Sequence, residues 1–206
     1  MDMKYLEITK HYQDCFEKHG DNNFGVDWPN YEDTLTRHRI MFEINRHLDN
    51  NISFLDFGCG LGHFKEWLNK NSQSNIKYFG LDINKDFTDL CQKKFPDSKF
   101  YCKDILIDDK IPNFDYIICN GTFTEKRNLT QLEMMNYFQE TIKKLWNKCD
   151  KGITFNLMSK YVDWEREDLF HVSLDELSWF LTKNLSRNFI YRNDYKLYEF
   201  TTYVYK

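Results

Sequence analysis

The chain has 206 residues, 41% of them hydrophobic and 17% aromatic, with a formal net charge of -4 and a pI of about 5.9. That length and content suit one folded domain with a sizeable core and exclude a disordered chain. The mildly acidic balance offers no general attraction to nucleic acid or to an anionic membrane. No apolar run approaches the roughly 20 residues of a membrane-spanning helix. The N-terminal stretch MDMKYLEITKHYQDCFEKHG is charged throughout, without a signal-peptide core, so a cytoplasmic protein is expected.

The six cysteines, at 15, 59, 91, 102, 119 and 149, form no C-x-x-C pair and no Cys/His cluster with zinc spacing. Cys59, Cys102 and Cys119 fall in or beside predicted strands and read as small buried hydrophobes in a reducing compartment. With three prolines and no repeat or linker-like stretch, the chain reads as one domain, 51–206, behind an N-terminal helical cap, 1–50.

A helix is predicted over 3–19, where Tyr5, Ile8, Tyr12, Cys15 and Phe16 share a face. The loop HGDNNFGVDWPN (19–30) follows, then a helix over 31–48 with Leu35, His38, Met41, Phe42 and Leu48 as its apolar side. From residue 51 strands and helices alternate. A strand over 52–57 leads to a helix opening near Leu61, and a strand over 76–82 to a helix around 85–95. A short strand over 98–102 ends at Asp104. A strand over 113–119 leads to an amphipathic helix over 129–147, with Leu132, Met135, Phe138, Ile142 and Leu145 inward. A strand over 152–157 precedes a helix at 173–183 that has Ser173 as N-cap and Glu176 three residues on. Two β-rich runs, 187–193 and 197–205, close the chain as a hairpin. The sum is an α/β architecture of Rossmann-like kind: a mostly parallel sheet with an antiparallel last strand and helices on both faces. Its ligand belongs at the carboxyl ends of the strands, where Asp56–Gly58, Asp82, Asp104 and Asn120 fall.

FLDFGCGLGHF (54–64) holds Gly58, Gly60 and Gly62 between a strand and a helix N-terminus, a turn that suits a nucleotide-like ligand. A nicotinamide fingerprint would need a glycine at position 63, which is His63, and the P-loop pattern is absent. Asp56 beside the loop would repel a pyrophosphate and suits an ammonium group. Asp82, 20 residues after Gly62, can accept both hydroxyls of a ribose, and Asp104 can accept from an adenine amino group. An amine, a ribose and an adenine without phosphate describe S-adenosylmethionine.

On these residues the segment 52–157 resembles a class I S-adenosylmethionine-dependent methyltransferase. Asp56, Gly58, Gly60 and Gly62 match the family's glycine motif, Asp82 its ribose acid, Asp104 its adenine-side acid, and FDYIICNGTF (114–123) its fourth-strand motif. The resemblance implies a seven-stranded sheet and a cofactor site of Arg37, Asp56, Gly58, Gly60, Gly62, Asp82, Ile83, Asp104, Ile105 and Asn120. In this set Arg37 would pair with the methionyl carboxylate. It also implies a lid from 1–50 and 158–186, with Tyr12, Trp28 and Trp164 toward substrate. His19 and His171 are the candidate bases by ordinary pKa.

Asn120-Gly121-Thr122-Phe123 is not the motif of enzymes that methylate DNA-base amino groups. Metal-assisted catechol methyltransferases carry an acid where Asn120 stands, so no metal is expected. HGDNNFGVDW and RNDYKLYEFTTYVYK resemble segments of small bacterial methyltransferases, some tied to surface-carbohydrate or secondary metabolism. The resemblance thus implies methyl transfer to an oxygen or nitrogen of a small polar metabolite or sugar-linked group. The alternative is a non-catalytic S-adenosylmethionine-binding partner or regulatory subunit. A small-molecule substrate and no nucleic-acid or membrane partner are expected, and a homodimer is left open.

Overall fold

The apolar runs in the middle of the chain alternate at the strand period, and one sheet collects them all. The computed structural model describes residues 3–47, 49, 51–73 and 75–206. Its strands are β1 (Ser53–Phe57), β2 (Lys77–Asp82), β3 (Lys99–Cys102), β4 (Phe114–Cys119), β5 (Cys149–Ser159), β6 (His171–Val172), β7 (Phe189–Arg192) and β8 (Glu199–Tyr205). The helices are α1 (Leu6–His19), α2 (Tyr31–Phe42), α3 (His63–Lys70), α4 (Lys85–Lys94), α5 (Gln131–Trp146) and α6 (Leu174–Asn184), with a 3-10 turn at Asn23–Val26.

The strands lie in the order β3-β2-β1-β4-β5-β8-β7, with the short β6 beside the end of β5. The pairs among β1 to β5 are parallel, and β8 runs antiparallel to both its neighbours. The chain winds outward from β1 to β3, then crosses back to start β4 on the other side of β1. This reversal is the topological switch point, where open α/β sheets bind ligands.

Strand alternation divides the core in two. Leu55, Phe57, Ile117 and Cys119 point to one face, where Phe138 and Ile142 of α5, Leu177 and Phe180 of α6, and Tyr5 and Ile8 meet them. Phe54, Tyr116 and Ile118 point to the other, against Ile40 and Met41 of α2 and Phe64 and Leu68 of α3. The N-terminal segment therefore contributes to both cores. Phe138 is fully buried amid the rings of Phe123, Phe155, Phe170 and Phe180.

Caps fix the helix starts. Thr130 and Glu133 form a reciprocal capping box at the head of α5, and the Ser173 side chain accepts from the Glu176 amide at the head of α6. Several expected boundaries move. The helix expected over 31–48 ends at Phe42, and Leu48 lies outside the described residues. The helix after the glycine turn opens at His63, and β5 extends to Cys149–Ser159. β6 went unseen because two residues carry no periodicity. Leu132 is 69% exposed, while Met134 and Thr141 complete the buried stripe of α5.

Phe138→Ala is expected to destabilise the chain by about 3–5 kcal/mol, and Leu132→Ala by less than about 0.5 kcal/mol. Urea unfolding of both variants checks this.

Candidate active site

Each strand at the switch point carries a polar residue in or just past its last two positions, and the parallel register brings these ends to one rim. Asp56 in β1 pairs with Gly80 in β2, and Asp82 with Cys102 in β3. The cleft above the rim holds about 1070 Å³ of empty space, its mouth included, and is lined by Asp56, Gly58, Gly60, Asp82, Asp104 and Asn120, with Ile83 and Ile105 supplying apolar wall.

The glycine turn is built by the protein's own crowding as well as by its left-handed backbone. Gly58, Gly60 and Gly62 have φ of 73°, 51° and 79°. A Cβ on Gly58 would lie 2.7 Å from Thr122 Oγ1, and one on Gly62 would lie 2.7 Å from Phe95 Cε2. Gly62 is not part of the cleft wall; it is the N-cap of α3, and its bareness lets the end of α4 approach.

Asp82 locks this turn in place. Its Oδ2 accepts from the Gly60 amide at 2.9 Å and its Oδ1 from the Asn84 amide at 2.9 Å. Asp56 is buried and accepts one hydrogen bond, from the Tyr78 hydroxyl at 2.7 Å. Burial pushes its carboxyl up to about 7, against the Tyr78 hydrogen bond and with help from the nearby Asp82 charge. Burial also raises Asp82. Among the described residues neither carboxylate has an ion-pair partner. At Asp104, Oδ2 accepts from Tyr5 at 2.6 Å and Oδ1 from the Leu106 amide at 2.9 Å. Tyr5 stacks on Tyr137 at 4.8 Å, so the N-terminal segment touches the far end of the cleft. Both side-chain polar atoms of Asn120 are buried without a partner.

Tyr12 and Trp28 also line the cleft, and the Trp28 ring packs where a Cβ on Gly121 would stand. Beside them is a residue read from sequence only as part of an apolar helix face, His38. Its ring sits among Trp28, Phe64 and Trp67 at 6.0, 5.6 and 6.4 Å. Burial lowers it to about 3, with the neighbouring His63 and Arg37 pushing the same way, and its Nδ1 has no partner. The available signal was a lone histidine on the buried side of α2.

Four expected site residues lie elsewhere. Arg37 Nε donates to both oxygens of Glu199, at 3.1 and 3.0 Å, because that carboxylate is only 2% exposed and needs charge compensation. It is thereby held outside the cleft wall rather than free for a ligand carboxylate. His171 is buried with both nitrogens engaged: Nδ1 faces the Ser159 carbonyl at 2.7 Å and Nε2 accepts from the Arg166 amide at 3.3 Å. It has no lone pair left for a reaction. His19 lies exposed in the last turn of α1 with its ring against Phe24, and Trp164 is 72% exposed.

An open sheet of this order, with a glycine turn and buried carboxylates at its switch point, defines an α/β domain whose cleft suits a cationic nucleoside ligand. Residues 55–145 match the model of a methyltransferase domain family. The chain is 26% identical over 159 residues, 75% of its length and 93% of the other's, to Rv1506c of Mycobacterium tuberculosis (strain ATCC 25618 / H37Rv), described as a methyltransferase. Its fold is similar to that of magnesium protoporphyrin IX methyltransferase from Synechocystis PCC 6803, with bound S-adenosylmethionine. The TM-score is 0.66 at 13% identity, over 100% of this chain and 98% of that one. The N-methyltransferase NodS from Bradyrhizobium japonicum WM9, with S-adenosylhomocysteine, gives a TM-score of 0.65 at 13% identity, over 100% and 99%. Residues 55–145 thus form a methyltransferase domain with the fold that S-adenosylmethionine-dependent methyltransferases share, and S-adenosylmethionine is its cofactor.

The raised Asp56 carboxyl has a consequence for the free protein. The folded state keeps this proton to about pH 7 while the unfolded chain releases it near the ordinary value of 3.8, so this group's contribution to stability falls as pH rises across that window. Asp56→Asn removes the slope. It is expected to stabilise the ligand-free chain above pH 7 by on the order of a few kcal/mol, measured as the difference in urea midpoints at pH 5 and pH 8.

Proposed function

We propose that this methyltransferase acts in the cytoplasm on an oxygen or nitrogen of a small polar metabolite or sugar-linked group without phosphate. What carries the reading is a single cleft lined by three carboxylates and by an uncharged histidine whose Nδ1 has no partner. Lys103 is the one lysine or arginine in that wall among the described residues, and it is paired with Asp108, which disfavours a strongly anionic acceptor.

In this reading Asp56 takes the cofactor's ammonium, Asp82 its ribose hydroxyls and Asp104 its adenine amine, with Ile83 and Ile105 against the base. The three acids keep free lone pairs after their internal bonds. Asn120, with both polar atoms unused, is the remaining donor and acceptor for the amino-acid end. The cofactor supplies a methyl group already activated on a sulfonium. The chain's own task is then to position the acceptor, and correct placement alone is worth about 7–11 kcal/mol. The Trp28 and Tyr12 rings offer π faces that favour a nearby positive charge.

His38 replaces His19 and His171 as the proposed proton acceptor. With its pKa lowered to about 3 the ring stays neutral at physiological pH, and with its proton on Nε2 the buried Nδ1 can accept a hydrogen bond from an acceptor O–H or N–H that displaces the packing around it. It orients the acceptor's lone pair and takes the proton as methyl transfer makes that group acidic.

Formation of S-adenosylhomocysteine with a panel of small hydroxyl- and amine-bearing metabolites tests the reading. On the substrate so found, His38→Ala is expected to lower kcat at least about tenfold with cofactor affinity unchanged, while His19→Ala keeps full rate. Full turnover by His38→Ala, or turnover only with phosphorylated or macromolecular acceptors, would contradict it.

A further inference from the structure

Outside the cleft, the chain brings together three metal-ligating side chains that no part of the methyl-transfer chemistry uses. His11 and Cys15 stand one turn apart on α1, and Asp27 reaches them from the end of the 3-10 turn. His11 Nε2 lies 2.9 Å from Asp27 Oδ2 and 3.9 Å from Cys15 Sγ, and all three ligand atoms fall within 4.8 Å of one another.

The arrangement is not that of a nucleophile relay, in which the base and its orienting acid use opposite nitrogens of the imidazole. Here thiol and carboxylate both converge on the same nitrogen, Nε2. Three donors converging on one point is the geometry of shared ligands. In a tetrahedral zinc site a nitrogen and an oxygen ligand stand about 3.3 Å apart, and a sulfur and a nitrogen about 3.6 Å. The His11–Asp27 and His11–Cys15 separations differ from these by a few tenths of an ångström, and the thiol and carboxylate, within 4.8 Å of each other, would close further around an ion.

We propose that His11, Cys15 and Asp27 form a three-ligand site for a zinc-class divalent cation, which clips α1 to the turn that carries Trp28. A thiolate and an imidazole with one carboxylate select zinc-like ions over calcium or magnesium, which prefer oxygen ligands alone. His11 and Cys15 are half-buried and Asp27 is exposed, so an ion has a path in and a water molecule has room for the fourth position. Binding releases the Cys15 thiol proton to solvent and requires the neutral imidazole. Asp27 adopts a left-handed conformation, φ 53°, one residue before the cleft-lining Trp28. The ion would therefore hold the wall that Tyr12 and Trp28 make.

The linear spacing concealed this site because its third ligand is 12 residues beyond Cys15, across a helix end and a turn. No metal was expected from sequence, and the convergence exists only after α1 and the turn pack together.

The test uses the full chain, stripped with a chelator and titrated with Co²⁺ as the probe, then with Zn²⁺. One Co²⁺ per chain is expected, with a near-ultraviolet sulfur-to-cobalt band and the intense visible bands of four-coordination, both bleached by Zn²⁺. Cys15→Ser should abolish the sulfur band, and His11→Ala should weaken binding more than tenfold, beyond the 10–100-fold range's lower end for groups that merely support a ligand. Absence of the sulfur band from the unmodified chain, or its survival in Cys15→Ser, would overturn the proposal. If Cys15→Ser folds poorly by circular dichroism, Asp27→Asn decides: weaker Co²⁺ binding supports the site and unchanged binding overturns it.

Discussion

Two carboxylates buried side by side without a cation are the constraint around which this molecule is arranged. Asp56 lies next to the end of β1 and Asp82 ends the adjacent parallel strand β2, two residues beyond the register partner of Asp56, close enough that the Asp82 charge acts on Asp56. Each is sheltered from water, and their internal partners are a tyrosine hydroxyl and backbone amides, not a lysine or arginine. Buried negative charge left uncompensated is costly, and the free protein answers by holding a proton on Asp56 to about pH 7. A ligand that brings its own positive charge relieves the same cost. The cleft therefore favours a cationic nucleoside compound before any detail of shape is considered.

The rest of the fold keeps that rim rigid. Asp82 binds the glycine turn to the end of β2, and Thr122 Oγ1 donates to the Phe57 carbonyl at 2.9 Å, which ties the loop after β4 to β1. Beneath the rim, two aromatic-rich cores hold the strands from either side. The N-terminal segment is shared between structure and site. α2 buries Ile40 and Met41 in one core while placing His38 in the cleft, and Tyr5 joins the other core while bonding Asp104. A segment built this way cannot be removed without exposing core.

What the sequence disclosed and what it hid differ in physical kind. The strand ends, Asp56, Asp82, Asp104 and Asn120, were legible because strand period and glycine spacing are local signals, and a parallel sheet turns sequential strand ends into one rim. Residues whose role depends on what another element brings to them were not. Arg37 looked free until Glu199, 162 positions away, was seen to require it. His171 looked like a base until β5 and the loop before β6 took both its nitrogens. His38 looked like core because its apolar neighbours are real, and only the cleft beside it shows that one ring atom is unspent. Gly62, expected among the cofactor contacts, packs α3 against the end of α4.

The proton on Asp56 connects stability, electrostatics and cofactor recognition, so its release is the most direct measure of the account. Calorimetric titration with S-adenosylhomocysteine in buffers of different ionisation heat counts protons exchanged on binding. Pairing of Asp56 with the ligand's ammonium predicts a proton released near pH 7 and affinity rising from pH 6 to about 7.5, before the amine itself loses its proton. Both effects should vanish in Asp56→Asn. Binding without proton release, at equal affinity in the chain and the variant, would contradict it.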